Sequence, residues 1–265
     1  MKSIISTSFI LILFFFFGCS KDDNTTSLST NLPKLKNIVH ISPRDTVHES
    51  FYYNEEGILQ IIENFQGRPH YGIHILEYSN KRLGRYGSNY ISYNSLGQIQ
   101  NIQYFINYNN PERLLISTKK YQYYSDGKIS GIKQFYSDEY LALIPQDERP
   151  SNEEEEFLYY WENNNIKKME YHLNGAFYSE HTYKYDNSIN YKVSFPISLK
   201  IGAELSENNV ISTSTRFANG GIDPICFKCP SILEYDEQGR VFKITEPNEG
   251  FGGPYPEIKI ITYKD

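Results

Sequence analysis

Cysteine is scarce in this chain, with only Cys19, Cys226 and Cys229 among 265 residues. A zinc site built on Cys226 and Cys229 would need two more ligands at suitable spacing, and there is no second cysteine pair to supply them. A thioredoxin-like redox site would need the pair at a helix start in a βαβ unit, whereas Pro224 and Pro230 place it in a loop. In an oxidising compartment a local disulfide is favoured, with free thiols as the alternative.

Positive charge and catalytic motifs are also lacking. Twenty-six Lys and Arg residues stand against 32 Asp and Glu, a net charge of −6, whereas nucleic-acid-binding proteins carry a basic stripe. No Gly-x-Ser-x-Gly elbow, phosphate loop or His-Glu-x-x-His is present. We therefore predict no nucleic-acid partner, no catalytic residue, no metal and no cofactor.

The longest apolar run, residues 9–17, is too short for a transmembrane helix, which needs about 20 residues. It follows Lys2 and ends at Gly18, as in a secretory signal peptide. A cysteine directly after such a run resembles the lipobox of bacterial lipoproteins, with Phe16 where that family usually has leucine. The resemblance implies a signal peptide over residues 1–18 and a lipidated Cys19. An ordinary signal peptide with a chance cysteine is the alternative.

A short charged segment, Lys21, Asp22 and Asp23, follows the cysteine. It resembles the surface-export signal of Bacteroidota lipoproteins, which implies a lipid-anchored protein of the outer membrane, exposed at the surface. The alternative is a solvated charge cluster. The small polar residues that follow predict a flexible tether, so that residues 19–33 form the anchor segment and 34–265 a single domain.

Aromatic residues are abundant, with 24 tyrosines and 16 phenylalanines. Many tyrosines belong to a degenerate repeat with an apolar residue, a tyrosine two later, Gly or Asn four after that, and apolar residues two and five further on. The five units are Phe51, Tyr53, Gly57, Leu59, Ile62; Ile91, Tyr93, Gly97, Ile99, Ile102; Tyr121, Tyr123, Gly127, Ile129, Ile132; Leu158, Tyr160, Asn164, Ile166, Met169; and Leu233, Tyr235, Gly239, Val241, Ile244. Tyr183 and Tyr185 indicate a decayed sixth.

Each unit predicts a β-hairpin. The apolar residue and tyrosine face one side of a strand, and the Gly or Asn adopts the left-handed conformation of the turn. The apolar residues three apart on the return strand cannot share one face of a straight strand, so we predict a β-bulge there. A short helix is the weaker alternative, because the return runs are rich in isoleucine.

The fifth unit, residues 233–244, resembles the YD-repeat (RHS-like) families. The whole chain is similar to uncharacterised Bacteroidota lipoproteins of the YD-like, DUF4595 type. That resemblance implies a porin-like antiparallel β architecture and a location, but no catalytic residue. We predict an all-β fold, an antiparallel hairpin meander curled into a half-barrel or open barrel, with an insertion near 186–232 as a candidate functional loop.

Two other groups of polar residues are candidate metal ligands. His70 and His74 fall in a predicted strand, which separates them by about 13 Å, too far to share an ion. The run Glu153–Glu156 has neither the alternation nor the turn glycine of a calcium loop, so a solvated acidic loop is predicted.

Three functions follow from these features. The leading hypothesis is a membrane-anchored, non-catalytic module that binds a glycan or a surface protein through exposed tyrosines and residues 196–230. The second is a carrier of lipid or a hydrophobic ligand in the groove of the curled sheet. The third is a glycan-active hydrolase, which requires two carboxylates within about 5–10 Å of each other in a cleft.

Overall fold

The computed structural model describes residues 32–42, 45–66, 72–106, 113–147, 149–150, 154–200, 202–221, 231–246 and 256–264. These contain one helix, α1 (Asp138–Leu143), and two 3-10 turns (Ile197–Leu199 and Gly202–Leu205). The strands are β1 (Lys34–Ile41), β2 (Thr46–Tyr53), β3 (Leu59–Gln66), β4 (Gly72–Ser79), β5 (Arg82–Tyr86), β6 (Asn89–Tyr93), β7 (Ile99–Ile106), β8 (Leu114–Tyr123), β9 (Ile129–Tyr136), β10 (Glu154–Glu162), β11 (Asn165–Leu173), β12 (Ala176–Ile189), β13 (Asn208–Phe217), β14 (Ile232–Tyr235), β15 (Val241–Glu246) and β16 (Glu257–Lys264).

All sixteen strands form one antiparallel sheet. From β1 to β13 every strand pairs with its neighbour in sequence, and β1 also pairs with β16, which continues to β15 and β14. The sheet therefore curls into a nearly closed barrel with one seam, between β13 and β14. At the seam the Ser231 N–H donates to the Ile211 carbonyl at 2.8 Å, and the Tyr235 hydroxyl donates to Asp186 at 2.5 Å. The predicted antiparallel meander is confirmed.

The predicted turns and bulges are present in the repeat units. The four turn glycines have φ between +74° and +87°, the left-handed region that favours glycine. In every unit the strand register shifts by one residue at the same point, directly after the first inward apolar residue of the return strand. The bulge lets both return-strand apolar residues face the barrel interior. The bulged residues are Gln60, Gln100, Ser130, Lys167 and Phe242.

The fourth unit corrects the predicted register by one position. Its inward pair is Tyr159 and Trp161, opposite Met169 and Ile166, whereas Tyr160 is exposed on the outer face. Its turn is shorter than the glycine turns, and the left-handed residue is Asn163, not the predicted Asn164. The apolar-x-Tyr pattern also matched the outward residues here, because the unit has large side chains on both faces.

The tyrosine of the repeat ties successive hairpins together. At several of these positions the ring lies inside the barrel and the side chain donates to a backbone carbonyl of the preceding hairpin, that of the residue just before the bulge. The bonds are Tyr123 to Ile99 (2.9 Å), Tyr185 to Ile166 (2.6 Å) and Tyr263 to Val241 (2.8 Å), with the Trp161 indole N–H donating to Ile129 (2.7 Å) in the fourth unit. Ladder bonding is disrupted at a bulge, so a side-chain donor is useful there. These tyrosines are inward structural residues, not exposed ligand-binding ones. Two units differ, because the Tyr235 hydroxyl donates to Asp186 and the buried Tyr53 hydroxyl has no hydrogen-bond partner among the described residues.

The decayed sixth unit is a hairpin whose turn has been replaced by a long insertion. Tyr185 lies opposite Val210 and Lys184 opposite Ser212, so the same bulge recurs at Ile211. The segment 186–232 is therefore not one loop. It contains the end of β12, an 18-residue connection, strand β13 and the start of β14.

Candidate functional site: a chamber inside the barrel

The connection between β12 and β13 folds back into the barrel. We call residues 190–200 and 202–207 the plug. Phe195 is 6% exposed and packs its ring on Phe51 of β2, with centroids 5.1 Å apart. Tyr191 and Leu199 pack on the core cluster around β1–β3 and β15–β16, while Ile197 and Leu205 pack on the cluster of β9–β11. The plug therefore fills the space between the two halves of the barrel wall.

Buried asparagines hold the base of the plug. The Asn209 side chain accepts from the Tyr191 N–H (3.0 Å) and donates to Asp186 (3.0 Å). The Asn190 side chain donates to the carbonyls of Glu204 and Ser206 and accepts from the Lys192 N–H. Asn190 and Asn209 are 4% and 3% exposed, so these bonds are formed away from water. The plug is thereby fixed as part of the fold.

A chamber of about 770 Å³ remains between the plug and the wall. A volume of about 300–1,000 Å³ is typical of small-molecule sites. The wall of the chamber comes from β2, β3 and β5–β12, and one side comes from the plug. The plug residues at the chamber are Lys192, Phe195, Ser198, Leu199, Lys200, Gly202 and Ala203.

Every second residue of a wall strand faces the chamber, and these inward residues form two zones along the barrel axis. The zone nearer the repeat turns is apolar: Phe51, Ile62, Ile91, Ile102, Tyr121, Ile132, Phe157, Tyr159, Met169 and Tyr183. One inward position further from those turns most wall residues are polar: Glu49, Asn64, Asn89, Lys119, Gln134, Glu155 and His181, with Ser117 beyond. Tyr86 and Tyr104 lie opposite Asn89 and add two aromatic rings to this zone. The site is therefore amphipathic along the barrel axis.

Charges of both signs face the polar zone. Burial acts to raise the pKa of Glu49, but a hydrogen bond from His40 (3.1 Å) and the charges of Lys192 and Lys259 outweigh it and lower the pKa. The Glu155 carboxylate accepts from the Tyr171 hydroxyl at 3.0 Å. The buried Asn64 Oδ1 has no hydrogen-bond partner among the described residues. This zone therefore offers charged and hydrogen-bonding groups to a polar ligand atom.

Two lysines at the chamber are desolvated. Burial lowers the pKa of Lys119, an effect that Glu155 partly offsets. Burial lowers the pKa of Lys200 to about 8, with Glu204 acting in the opposite direction. The Lys200 Nζ donates to the Val193 carbonyl at 3.0 Å, within the plug. Both ammonium groups would be stabilised by an additional negative charge.

The apolar zone keeps its phenols neutral. Burial raises the pKa of Tyr121, Tyr159 and Tyr183 well above the ordinary range. These side chains therefore present aromatic surface and an uncharged hydroxyl at neutral pH. Such a surface suits an apolar ligand body.

Several predicted site residues lie outside the described residues: Cys19, Lys21, Asp22, Asp23, Cys226, Cys229 and His70. The lipidation, export signal and disulfide therefore stay predictions. His74 lies on the predicted strand face with Leu76 and packs on Tyr86, with ring centroids 4.9 Å apart.

The acidic run is not a loop where it is described, because Glu154–Glu156 begin β10. Glu155 faces the chamber, whereas Glu154 faces outward and pairs with Lys133 at 2.7 Å. Within the part of the chain that the structure describes, no three His, Cys, Asp or Glu side chains are grouped as a metal site.

Sequence reasoning offered a groove in the curled sheet as its second hypothesis but did not identify the residues that line the chamber, although the polar zone has a sequence signature. Polar residues stand two positions before the inward apolar residue of several units, namely Glu49, Asn89, Lys119 and His181. A column of polar residues at a repeat position that faces the interior is the signal of a polar site there.

No helix among the described residues is long and apolar enough to cross a membrane. No protein-family model and no curated protein matches the chain. Solved structures do show similarity. A porin-like protein from Bacteroides vulgatus ATCC 8482 aligns with 88% of this chain and 99% of its own, with a TM-score of 0.53 and 9% identity. A porin-like protein from Bacteroides uniformis ATCC 8492 aligns with 87% and 98%, with a TM-score of 0.50 and 10% identity. At these identities the similarity concerns the fold, and it agrees with the porin-like β architecture that the resemblance implied.

Proposed function

We propose that this protein is a non-catalytic carrier or receptor that binds one small amphipathic molecule inside its barrel. The observation that carries the proposal is the chamber of about 770 Å³ with an apolar and a polar zone. Pockets of this size, apolar with a few polar groups, are the usual form of small-molecule sites. Of the hypotheses drawn from the sequence, the carrier of a hydrophobic ligand is therefore favoured over the surface module that binds a glycan.

The use of the tyrosines also supports this choice. Tyr121, Tyr159 and Tyr183 line the chamber, and Tyr123 and Tyr185 bond neighbouring hairpins. These tyrosines, which belong to the aromatic residues that motivated the glycan hypothesis, therefore line or stabilise the interior of the barrel. The solved neighbours are described as porin-like, which names no catalytic activity, so a non-enzymatic role stays part of the proposal.

A bound molecule suits the lumen better than flow through it. The plug enters from the end that carries the repeat turns and packs on both halves of the wall. Phe195 and Phe51 meet across the interior, and buried asparagines fix the plug base. Passage through the lumen would require these contacts to break.

The outer face of the wall supports a barrel that stands in water. Ion pairs cross between strands there: Arg85–Glu77 (3.0 Å), Lys133–Glu154 (2.7 Å), Lys168–Glu180 (3.4 Å) and Arg216–Glu180 (3.3 Å). A membrane-spanning barrel presents an outward apolar band about 25 Å tall instead. We therefore propose that the lipidated Cys19, and not the wall, holds the protein at the outer membrane.

The binding proposal is tested by titrating the full chain with N-phenyl-1-naphthylamine, a neutral apolar probe that fluoresces in apolar surroundings. We expect saturable binding with one site per chain. Gln134→Trp puts an indole in the chamber and should abolish binding, whereas Gln122→Trp, on the exposed outer face of the adjacent strand, should not. Binding that survives Gln134→Trp in a folded protein contradicts the proposal.

The anchoring proposal has a separate test. We expect labelled palmitate to be incorporated into the full chain and the protein to fractionate with the outer membrane. Cys19→Ser should abolish both, and Cys226→Ser should change neither. Membrane attachment that persists in the Cys19→Ser variant would show that another part of the chain makes the contact.

A further inference from the structure

We infer that the ligand is an amphipathic acid whose anionic group pairs with Lys119 while its apolar body lies on the apolar zone. This inference rests on the proposed binding function of the chamber. Three lysines line the chamber: Lys119, Lys192 and Lys200. Lys192 pairs with Glu204. Neither Lys119 nor Lys200 has an acidic partner within 4 Å among the described residues.

Withdrawing a cation from water without an anion is costly, so half-buried ammonium groups such as those of Lys119 and Lys200 usually have an acidic partner or a purpose. Most other lysines of the described chain obey this rule by pairing with carboxylates or lying at the outer surface. Lys119 and Lys200 depart from it, and they face the same chamber from opposite sides, the wall and the plug. A ligand anion placed there restores the missing partner.

The register places Lys119 at the boundary between the two zones. It lies opposite Ile102 of β7 on one side and Gln134 of β9 on the other. Gln134 in turn lies opposite Glu155 of β10, whose carboxylate is bonded to Tyr171. Glu155 therefore acts on Lys119 from two strands away and does not neutralise it by contact.

The ligand's orientation follows from this boundary. An acid group at Lys119 can also accept from the Gln134 amide, since the two side chains are cross-strand neighbours. Its apolar body then extends toward Ile91, Ile102 and Ile132, one inward layer closer to the repeat turns. Lys200 adds a second positive charge from the plug and favours the anion without bonding it.

The test compares twelve-carbon ligands that differ only in the head group, by displacement of N-phenyl-1-naphthylamine from the full chain below the micelle concentration. We expect dodecanoate to displace the probe at a concentration at least about tenfold lower than dodecanol, which corresponds to about 1.4 kcal/mol. Equal displacement overturns the anion assignment but leaves the binding function standing. A probe that never binds refutes the binding function itself. If dodecyltrimethylammonium displaces the probe at the lowest concentration, Glu49 or Glu155 is the recognition group and the inference is overturned.

The variants separate charge recognition from structure. Lys119→Gln should weaken dodecanoate about tenfold and leave dodecanol unchanged, and Lys119→Arg should restore dodecanoate. Lys120→Gln removes the same charge from the exposed outer face of the same strand and should change neither. Lys200→Gln should weaken dodecanoate by a smaller factor. Equal losses for acid and alcohol in Lys119→Gln would indicate a structural role only and overturn the assignment.

A parallel titration with a single-chain anionic lysophospholipid distinguishes a membrane-derived ligand from a free acid. Tighter displacement by one or the other identifies the source, and either outcome supports an anionic ligand.

Discussion

The hydroxyl of Tyr123 offers the sharpest test of how the repeat builds the barrel. It donates to the Ile99 carbonyl at 2.9 Å and so joins the third hairpin to the second. Burial raises the pKa of Tyr123, which keeps the donor proton in place at all ordinary pH values. Tyr123→Phe removes the donor and keeps the ring, so the packing of the interior is retained.

The expected magnitude follows from this single bond. A protein hydrogen bond contributes about 0.5–1.5 kcal/mol net, and a buried acceptor left unpaired costs about 1–3 kcal/mol. We expect Tyr123→Phe to lower the free energy of unfolding by about 1–2 kcal/mol. For a domain of this size that lowers Tm by about 2–8 °C. Tyr185→Phe, which loses the 2.6 Å bond to Ile166, should behave alike, and the two losses should add because the bonds share no residue.

The assay is urea unfolding of the full chain followed by circular dichroism, with the slope of the transition unchanged between variants. Tyr178→Phe is the control, because its hydroxyl forms no hydrogen bond to the residues that the structure describes and its side chain is 46% exposed. That control should stay within about 0.5 kcal/mol of the parent. A Tyr123→Phe variant as stable as the control would refute the role assigned to the repeat tyrosine.

Three other predictions concern the turns, the plug and pH. Gly239→Ala should lower the free energy of unfolding by about 1–2 kcal/mol, because φ at this position is +74°. No neighbour lies within 4 Å of the added Cβ, so the loss comes from the backbone conformation alone. Gly84→Ala, where φ is ordinary, should show no such loss, and thermal melts compare the two variants. Asn209→Ala should lower the free energy of unfolding by about 2–3 kcal/mol, because it leaves the buried Tyr191 N–H without a partner and removes one of the hydrogen bonds that Asp186 accepts. It should also abolish probe binding, and Asn101→Ala on the outer face is the control. Lys200 has an ordinary pKa of 10.5 in the unfolded chain and about 8 in the fold, so the unfolded chain binds more protons and stability should rise between pH 8 and about pH 9.5. Urea unfolding across that range should show a smaller rise in the free energy of unfolding for Lys200→Met than for the parent, because only Lys119 then keeps a lowered pKa. An equal rise in both proteins would contradict the burial of Lys200.

The sequence was sufficient for the local architecture. Apolar-x-Tyr alternation, a turn glycine and a return strand with apolar residues three apart admit few structures, and the bulge follows from the need to place Leu59 and Ile62 on one face. The same logic placed the fourth unit one residue out of register, because Leu158, Tyr159, Tyr160 and Trp161 offer large side chains to either face. Periodicity resolves a register only where one face is clearly polar.

The chamber could not be predicted in the same way. Lys119 and Lys120 are adjacent lysines in the sequence, yet one faces the interior and the other the outside. Only the strand pairing shows that Lys119, Gln134 and Glu155 form one inward row across three strands. Their common position depends on register between segments about 15 to 20 residues apart, which composition does not encode.

By itself the amino-acid sequence determined the antiparallel meander, its turns and its bulges, because these depend on residues close together in the chain, whereas the lipid anchor at Cys19 stays a prediction. The tertiary structure decided that the sheet curls almost to closure, that the plug folds inward where the sixth turn would be, and that a chamber is left beside it. Those outcomes depend on the packing of Phe195 against Phe51, two residues that are 144 positions apart in the chain, and on how much of the interior the plug leaves unfilled. Local propensity carries no information about such distant packing.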